Sequence, residues 1–398
     1  MRRFTTASIL GCTALMGFAV AAPAMSDEPA QAAAEAAPAA SVSLTFIGDA
    51  WNVASGGLDR GTDLLDNIDL QASLDLERLV GWNDASAFVY ALYASGNSVA
   101  ERVGDLNGIS NNETGEALRL VEAWIDQGFA AGRGSLRFGL YDVSSEFDAG
   151  EVRALFINAA HGIGTDYSQS GLNGPSIWPV TSLALRVHYA FEDDVYLRGA
   201  IADGVPGNPD FPKRTTIDFE DGDGVLLALE TGLARDGRLW SLGAWTYSGE
   251  VPDLVTGEDR RNAGAYVALE ETLLSSASGS GIDLAGSFRI GVANGDVNAV
   301  ESFISATLVA TGLLPSRPAD QLGLGVILLD GSTGYLSGLA DPADREINVE
   351  LTYYAQLTDE ITLQPDIQWI INPGIDDEIE DALVFGLRLS VGKTWEIR

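Results

Sequence analysis

The chain has 398 residues, with 57 acidic against 23 basic side chains and a formal net charge of −34. That balance repels polyanions and excludes nucleic acid as a partner. The one cysteine, Cys12, lies in the first 24 residues, which have the layout of a cleaved export signal, so disulfides, thiolate catalysis and cysteine metal sites are excluded from the remainder.

In chain order, residues 1–24 read as a secretory signal peptide. Arg2 and Arg3 supply the basic start, Ala7–Val20 the apolar run, and Ala22-Pro23-Ala24 the small-residue cleavage site, with Ala24-Met25-Ser26 as a second candidate. Residues 25–40 are dominated by Ala, Pro, Glu and Gln and read as a flexible periplasmic leader. No linker divides the rest of the chain, so residues 41–398 are taken as one unit. The 46% hydrophobic content includes no run of about 20 apolar residues there, which a spanning helix requires.

The apolar residues alternate instead. Ile68, Leu70, Ala72, Leu74 and Leu76 interleave with Asp69, Gln71, Ser73, Asp75 and Glu77. Ile347, Val349, Leu351 and Tyr353 interleave with Asn348, Glu350, Thr352 and Tyr354, and Leu383, Phe385, Leu387, Leu389 and Val391 with Val384, Gly386, Arg388 and Ser390. Strand side chains point to opposite faces in turn, so each segment has one greasy and one polar face. About sixteen such segments are predicted: 42–54, 64–78, 85–95, 117–129, 133–141, 182–191, 194–202, 224–234, 238–248, 262–274, 281–293, 302–312, 321–330, 346–356, 360–371 and 381–391. Short connections (79–84, 130–132, 192–193, 235–237, 357–359) alternate with long ones (96–116, 142–181, 203–223, 249–261, 331–345, 372–380). Short turns on one rim and long loops on the other predict an all-β fold: a transmembrane antiparallel barrel of about 16 strands, with short periplasmic turns and long external loops. A soluble secreted β-protein is the competing architecture, and it gives no reason for the loop asymmetry.

Motifs for catalysis are missing: no G-x-S-x-G, H-E-x-x-H, P-loop or G-x-G-x-x-G occurs. The two histidines, His161 and His188, are expected as packed or bore-facing residues, and no enzyme is predicted. The acidic run containing Asp218, Glu220, Asp221 and Asp223 offers oxygens to calcium, but without EF-hand order, and reads as a solvated loop. The connection 142–181 is long enough to be functional. A wide water-filled barrel needs an element that narrows it, and this third external loop is expected to fold inward. Glu146, Asp148, Glu151 and Arg153 would then face bore residues such as Arg137 and Arg186.

Four stretches carry a family resemblance. They are Gly139-Leu140-Tyr141-Asp142 with Glu146-Phe147 and Leu155-Phe156-Ile157-Asn158; Gly174-Pro175-Ser176-Ile177-Trp178-Pro179 with Leu185-Arg186-Val187; Asp203-Gly204-Val205-Pro206-Gly207-Asn208-Pro209; and Gln364–Gly374 followed by Asp381–Arg388. In order and content they resemble the carbohydrate-selective porins of the OprB family. The resemblance implies a sixteen-strand barrel in the bacterial outer membrane, diffusion of glucose-like sugars, and no cofactor. It marks Glu146, Asn158, Trp178, Arg186, Asp366 and Gln368 as pathway residues beside Asp148 and Arg153; Trp369 falls on the greasy face and suits a lipid-interface girdle. Expected partners are small sugars, outer-membrane lipid and lipopolysaccharide; a homo-oligomer stays open alongside a monomer. Two departures stand out: the chain ends Trp395-Glu396-Ile397-Arg398 rather than on an aromatic residue, and its acidity favours a general or cation-preferring pore as the alternative.

Overall fold

The computed structural model describes residues 38–220, 222–276 and 281–398. The expected signal peptide, almost all of the leader, and Asp221 lie outside the described residues. Sixteen antiparallel strands close into a barrel: β1 Ala40–Ser55, β2 Gly61–Asp75, β3 Ala85–Gly96, β4 Ala117–Phe129, β5 Gly134–Tyr141, β6 Ser182–Ala190, β7 Val195–Asp203, β8 Val225–Arg235, β9 Arg238–Pro252, β10 Asp259–Leu274, β11 Asp283–Ala293, β12 Val300–Thr311, β13 Gln321–Gly331, β14 Glu346–Gln356, β15 Ile361–Ile371 and β16 Ala382–Ile397. Each strand pairs with its chain neighbours, and β1 closes the ring on β16 from Ala40↔Ile397 to Ser55↔Leu383. No described helix is long and apolar enough to cross a membrane.

Two solvents set the two-residue period. On β16, Phe385, Leu387, Leu389 and Val391 are exposed on the outer wall, whereas Val384, Arg388 and Ser390 are buried inside. On β14, Asn348, Glu350 and Thr352 are fully buried, and Leu351 is exposed. Apolar outside and polar inside is inverted relative to a water-soluble protein and fits a wall standing in hydrocarbon around a polar bore. Closure leaves no edge strand, the condition for a sheet in lipid.

The short connection expected at 235–237 is a tight turn at Asp236-Gly237, with φ of 48° and 75° at the two residues and Arg235 paired to Arg238. That double positive φ matches the strand twist, and glycine adopts it without strain.

Several boundaries differ from expectation. Ala40, assigned to the leader, is already in β1, and β16 runs to Ile397 rather than 391 because Val42 and Ala40 give Trp395 and Ile397 their ladder partners. Leu76 and Glu77 do not continue β2; Leu76–Val80 is a helical turn, started by Asp75 accepting from Arg78 N (3.0 Å) and stopped at Gly81 (φ 76°). The connection 249–261 is mostly strand: opposite charges at Glu250↔Arg261 extend the hairpin, and only 253–258 form its loop. The rim of long loops also carries two short connections, 56–60 and 294–299.

Candidate functional site: the bore and the loop folded into it

Loop 142–181 leaves β5 and turns into the barrel. Asp142 Oδ1 accepts from Ser144 N (2.8 Å) and starts a 3-10 turn, Val143–Ser145, which carries Val143 and Phe147 into full burial. Beyond it the loop crosses the bore, and wall side chains take up its backbone.

The first anchor uses neighbouring arginines. Register pairs Arg137 with Arg186 and His188 with Arg198, which brings three guanidiniums together on β5, β6 and β7. Arg186 donates to Glu146 (2.7 and 3.1 Å) and to Asp126 (2.8 Å), and Arg137 donates to Asp126 (2.9 Å). Tyr141 also donates to Glu146, and Arg198 to the Glu146 carbonyl. Burial acts to raise the Glu146 carboxyl, but the three arginines outweigh it and hold the group down at about 2. Aromatic faces line the same arc: the Arg137 guanidinium lies 3.7 Å from the Trp124 ring and that of Arg198 4.2 Å from Tyr196, on which His188 stacks.

The second anchor follows a few residues on. Asp148, at φ 54°, donates its N–H to Glu230 (3.0 Å) and to the Tyr266 hydroxyl (2.9 Å). Its carboxylate accepts from Arg289 Nε (2.8 Å), and Arg289 makes two further bonds to Asp166 (2.6 and 3.2 Å). Glu270 accepts the N–H groups of Glu151, Val152 and Arg153 (2.7, 3.0 and 3.2 Å). These are free donors at the start of the 3-10 turn Arg153–Leu155, where an anion is favoured. Of the four loop residues expected to face bore residues such as Arg137 and Arg186, Glu146 meets those two arginines; Asp148 and Arg153 meet wall residues of β8, β10 and β11 instead, because the loop has by then crossed the bore, and the Glu151 side chain is exposed.

The third anchor holds the middle of the loop. Glu350 accepts from Ile157 N (2.7 Å) and Asn158 N (3.1 Å), and Asn158 donates to Gln368 (3.1 Å), which in turn donates to Asp366 (3.2 Å). Glycines on β13 make room: a Cβ on Gly325 would lie 2.6 Å from His161 Nε2, and one on Gly323 2.8 Å from Leu155. His161 is fully buried against Phe156 (4.6 Å), and burial followed by Arg153 pushes it down to about 3, which keeps it neutral. Trp178, on the outgoing limb, donates to the Tyr90 hydroxyl (3.0 Å) apart from these anchors.

Sequence reasoning missed the wall carboxylates Glu230, Glu270 and Glu350 and the wall arginine Arg289 as anchors. Their signal was a charge on the polar face of a strand. It also missed the loop 97–116, which folds in beside the first. Ser110 Oγ donates to Asp49 (2.9 Å), Arg388 to Asp49 (2.7 Å) and Asn111 (2.8 Å), and Gln368 to the Ile109 carbonyl (2.8 Å). Of the candidate calcium run, Asp218 accepts from Asn208 (3.0 Å) and Asp223 from Glu220 N (2.8 Å). Among the described residues no group of three or more acidic, His or Cys side chains is arranged to hold a metal.

A closed sixteen-strand wall with a greasy exterior and a charged, loop-threaded bore defines an outer-membrane porin. The sequence model described as "Carbohydrate-selective porin, OprB family" matches residues 59–392, and the chain belongs to that family. Porin B of Pseudomonas aeruginosa is 25% identical, over 87% of this chain and 86% of that one. In fold, the chain is similar to the high-pH structure of Pseudomonas putida OprB, with a TM-score of 0.77 and 21% identity over 89% of this chain and 94% of that one. It also resembles the outer-membrane channel DcaP of Acinetobacter baumannii, with a TM-score of 0.56 and 11% identity over 90% and 98% of the two chains.

Proposed function

We propose that this porin passes small, glucose-like sugars by passive diffusion, through a bore narrowed by loop 142–181 and with Glu146, Asp148, Arg153, Asn158, Trp178, Arg186, Asp366 and Gln368 along the pathway. The observation that carries this reading is the arc of Arg137, Arg186 and Arg198 beside Glu146, Trp124 and Tyr196. Guanidinium and carboxylate groups hydrogen-bond hydroxyls, and the aromatic rings back the arginines that would do so. Residues 1–24 act as a cleaved export signal, and lipopolysaccharide surrounds the external rim.

A second reading is favoured by the excess of acidic over basic residues: a general or cation-preferring pore. Planar-bilayer recording separates the two. Under the first, millimolar glucose or a longer sugar lowers the current, and Arg186→Ala weakens that block without impairing barrel assembly. Current that no sugar reduces would sink the sugar reading.

A further inference from the structure

The barrel wall is uneven. β4 has 13 residues, but β5, β6 and β7 have eight or nine. β4 pairs with β5 only from Ala123 to Phe129, because β5 stops at Tyr141 where the chain turns inward. The edge of β4 from Ala117 to Glu122 would thus be bare on that side, which hydrocarbon does not tolerate.

Loop 204–224 covers it. Leu118 N donates to the Lys213 carbonyl (2.9 Å), and Leu118 and Arg214 form a parallel bridge. Thr215 Oγ1 accepts from Leu120 N (2.7 Å) and donates to the Leu120 carbonyl (2.7 Å). Arg119 donates to the carbonyls of Pro212 and Pro179. The loop is a stand-in for the missing stretch of wall.

Its exposed side chains include both apolar and basic ones. Phe46, Ile68, Tyr93 and Leu118 are successive register partners and all are exposed, so the lipid-facing row of β1 to β4 runs straight into the patch. In the covering loop itself Phe211, Ile217 and Phe219 are exposed over 48%, 55% and 64% of their surfaces. Lys213, one of two lysines in the chain, and Arg214 lie between them. Lys213 pairs with Glu116, but both side chains are about two-thirds exposed, and such a pair is weak. Arg214 lies 4.3 Å over the Phe211 ring and has no ion pair among the described residues. Asp210, Asp218 and Glu220 nearby oppose an anion, so both cations are needed to hold one.

We infer that segment 211–219 is a lipid-docking surface for the phosphorylated, acylated diglucosamine of the outer leaflet, lipid A. Lys213 and Arg214 take a phosphate, and Phe211, Ile217, Phe219 and Leu118 take acyl chain. The patch stands on the rim that bears the external loops, where outer-leaflet headgroups lie. The inference rests on the outer-membrane placement, not on the sugar reading.

The test titrates the detergent-solubilised barrel with diphosphoryl lipid A, phosphatidylglycerol and phosphatidylcholine and counts bound lipid by native mass spectrometry. Lipid A is retained over both phospholipids, and K213Q/R214Q retains it about tenfold less. Undiminished retention by that variant overturns the site, and equal retention of phosphatidylglycerol by the parent overturns the choice of lipid A. Heat-modifiable gel mobility reports closure of the barrel independently. Should K213Q/R214Q fail that control, I217S/F219S supplies the same comparison, with the same loss expected. Sugar block is recorded separately, so loss of one reading does not imitate loss of the other.

Discussion

Arg289 Nε on β11 stands 2.8 Å from Asp148 Oδ2 in the inward loop, with both side chains fully buried and 141 positions apart in sequence. The guanidinium fills its other edge with Asp166, so one wall arginine grips the loop at two points. Breaking one partner of a buried pair typically costs about 3–5 kcal/mol, and the retained Asp166 bond places this case at the lower end. Asp148→Asn is expected to loosen the loop and leave the barrel intact. Faster amide exchange over 146–166 with unchanged heat-modifiable mobility is the expected result; unchanged exchange would show that the pair does not anchor the loop.

Close contact with β13 makes a second prediction. A methyl group on Gly325 would meet His161 Nε2 at 2.6 Å, so Gly325→Ala forces the loop off the wall at an overpacking cost of about 1–3 kcal/mol. His161→Ala in the same chain removes the nearer of two obstructing rings, leaving Phe156 Cε1 at 2.9 Å, so the relief is partial. Urea unfolding of the two single variants and the double variant is expected to show recovery in the double; strict additivity would refute direct contact.

His161 also carries a pH signature. Its folded value, pushed down to about 3 by burial and then by Arg153, lies below the ordinary value of 6.5. Between these limits the unfolded chain binds the proton and the folded chain does not. The contribution of His161 is therefore complete above pH 6.5 and shrinks as pH falls toward 3. His161→Leu should flatten this part of the stability-against-pH curve relative to the parent, measured by unfolding midpoints between about pH 4 and 7. Parallel curves for the two proteins would contradict it.

The outer wall supplies a fourth. Leu387 faces outward near the middle of β16. Arginine on the lipid face costs about 2–4 kcal/mol at the bilayer midplane. Leu387→Arg is expected to lower the yield of folding into phospholipid vesicles, whereas a change at an exposed external-loop residue such as Glu378 leaves it unaltered. Equal yields would place this face away from hydrocarbon.

The strands were legible because lipid outside and polar bore inside force a choice at every second residue, as Leu387 and Arg388 illustrate. The β9–β10 extension was not, since Glu250, Arg260 and Arg261 look like loop composition until they are paired across the hairpin. The bend at Leu76 was hidden by continuing alternation; only the Asp75 cap and Gly81 end the strand. Within the site, Glu146 with Arg186, 40 positions apart, was foreseeable because the inward loop starts and ends on neighbouring strands. Asp148 with Arg289 and Asn158 with Glu350 join positions 141 and 192 apart, and nothing local selects such partners. Loop 97–116 escaped notice because Asn107, Ser110 and Asn111 have the composition of solvated loop, yet hydrogen bonds place them inside the wall.

The seam at Ala40 and Ile397 governs how this cylinder comes into being. Every other strand finds a mate next to it in the polypeptide, but the first must wait for the last, the most distant partnership the chain contains. Until that final zipper is drawn, two raw ribbons stand open, and oil offers them no substitute bonds. Full burial of the wall in the bilayer therefore depends on the pairing that joins the most widely separated strands of the chain.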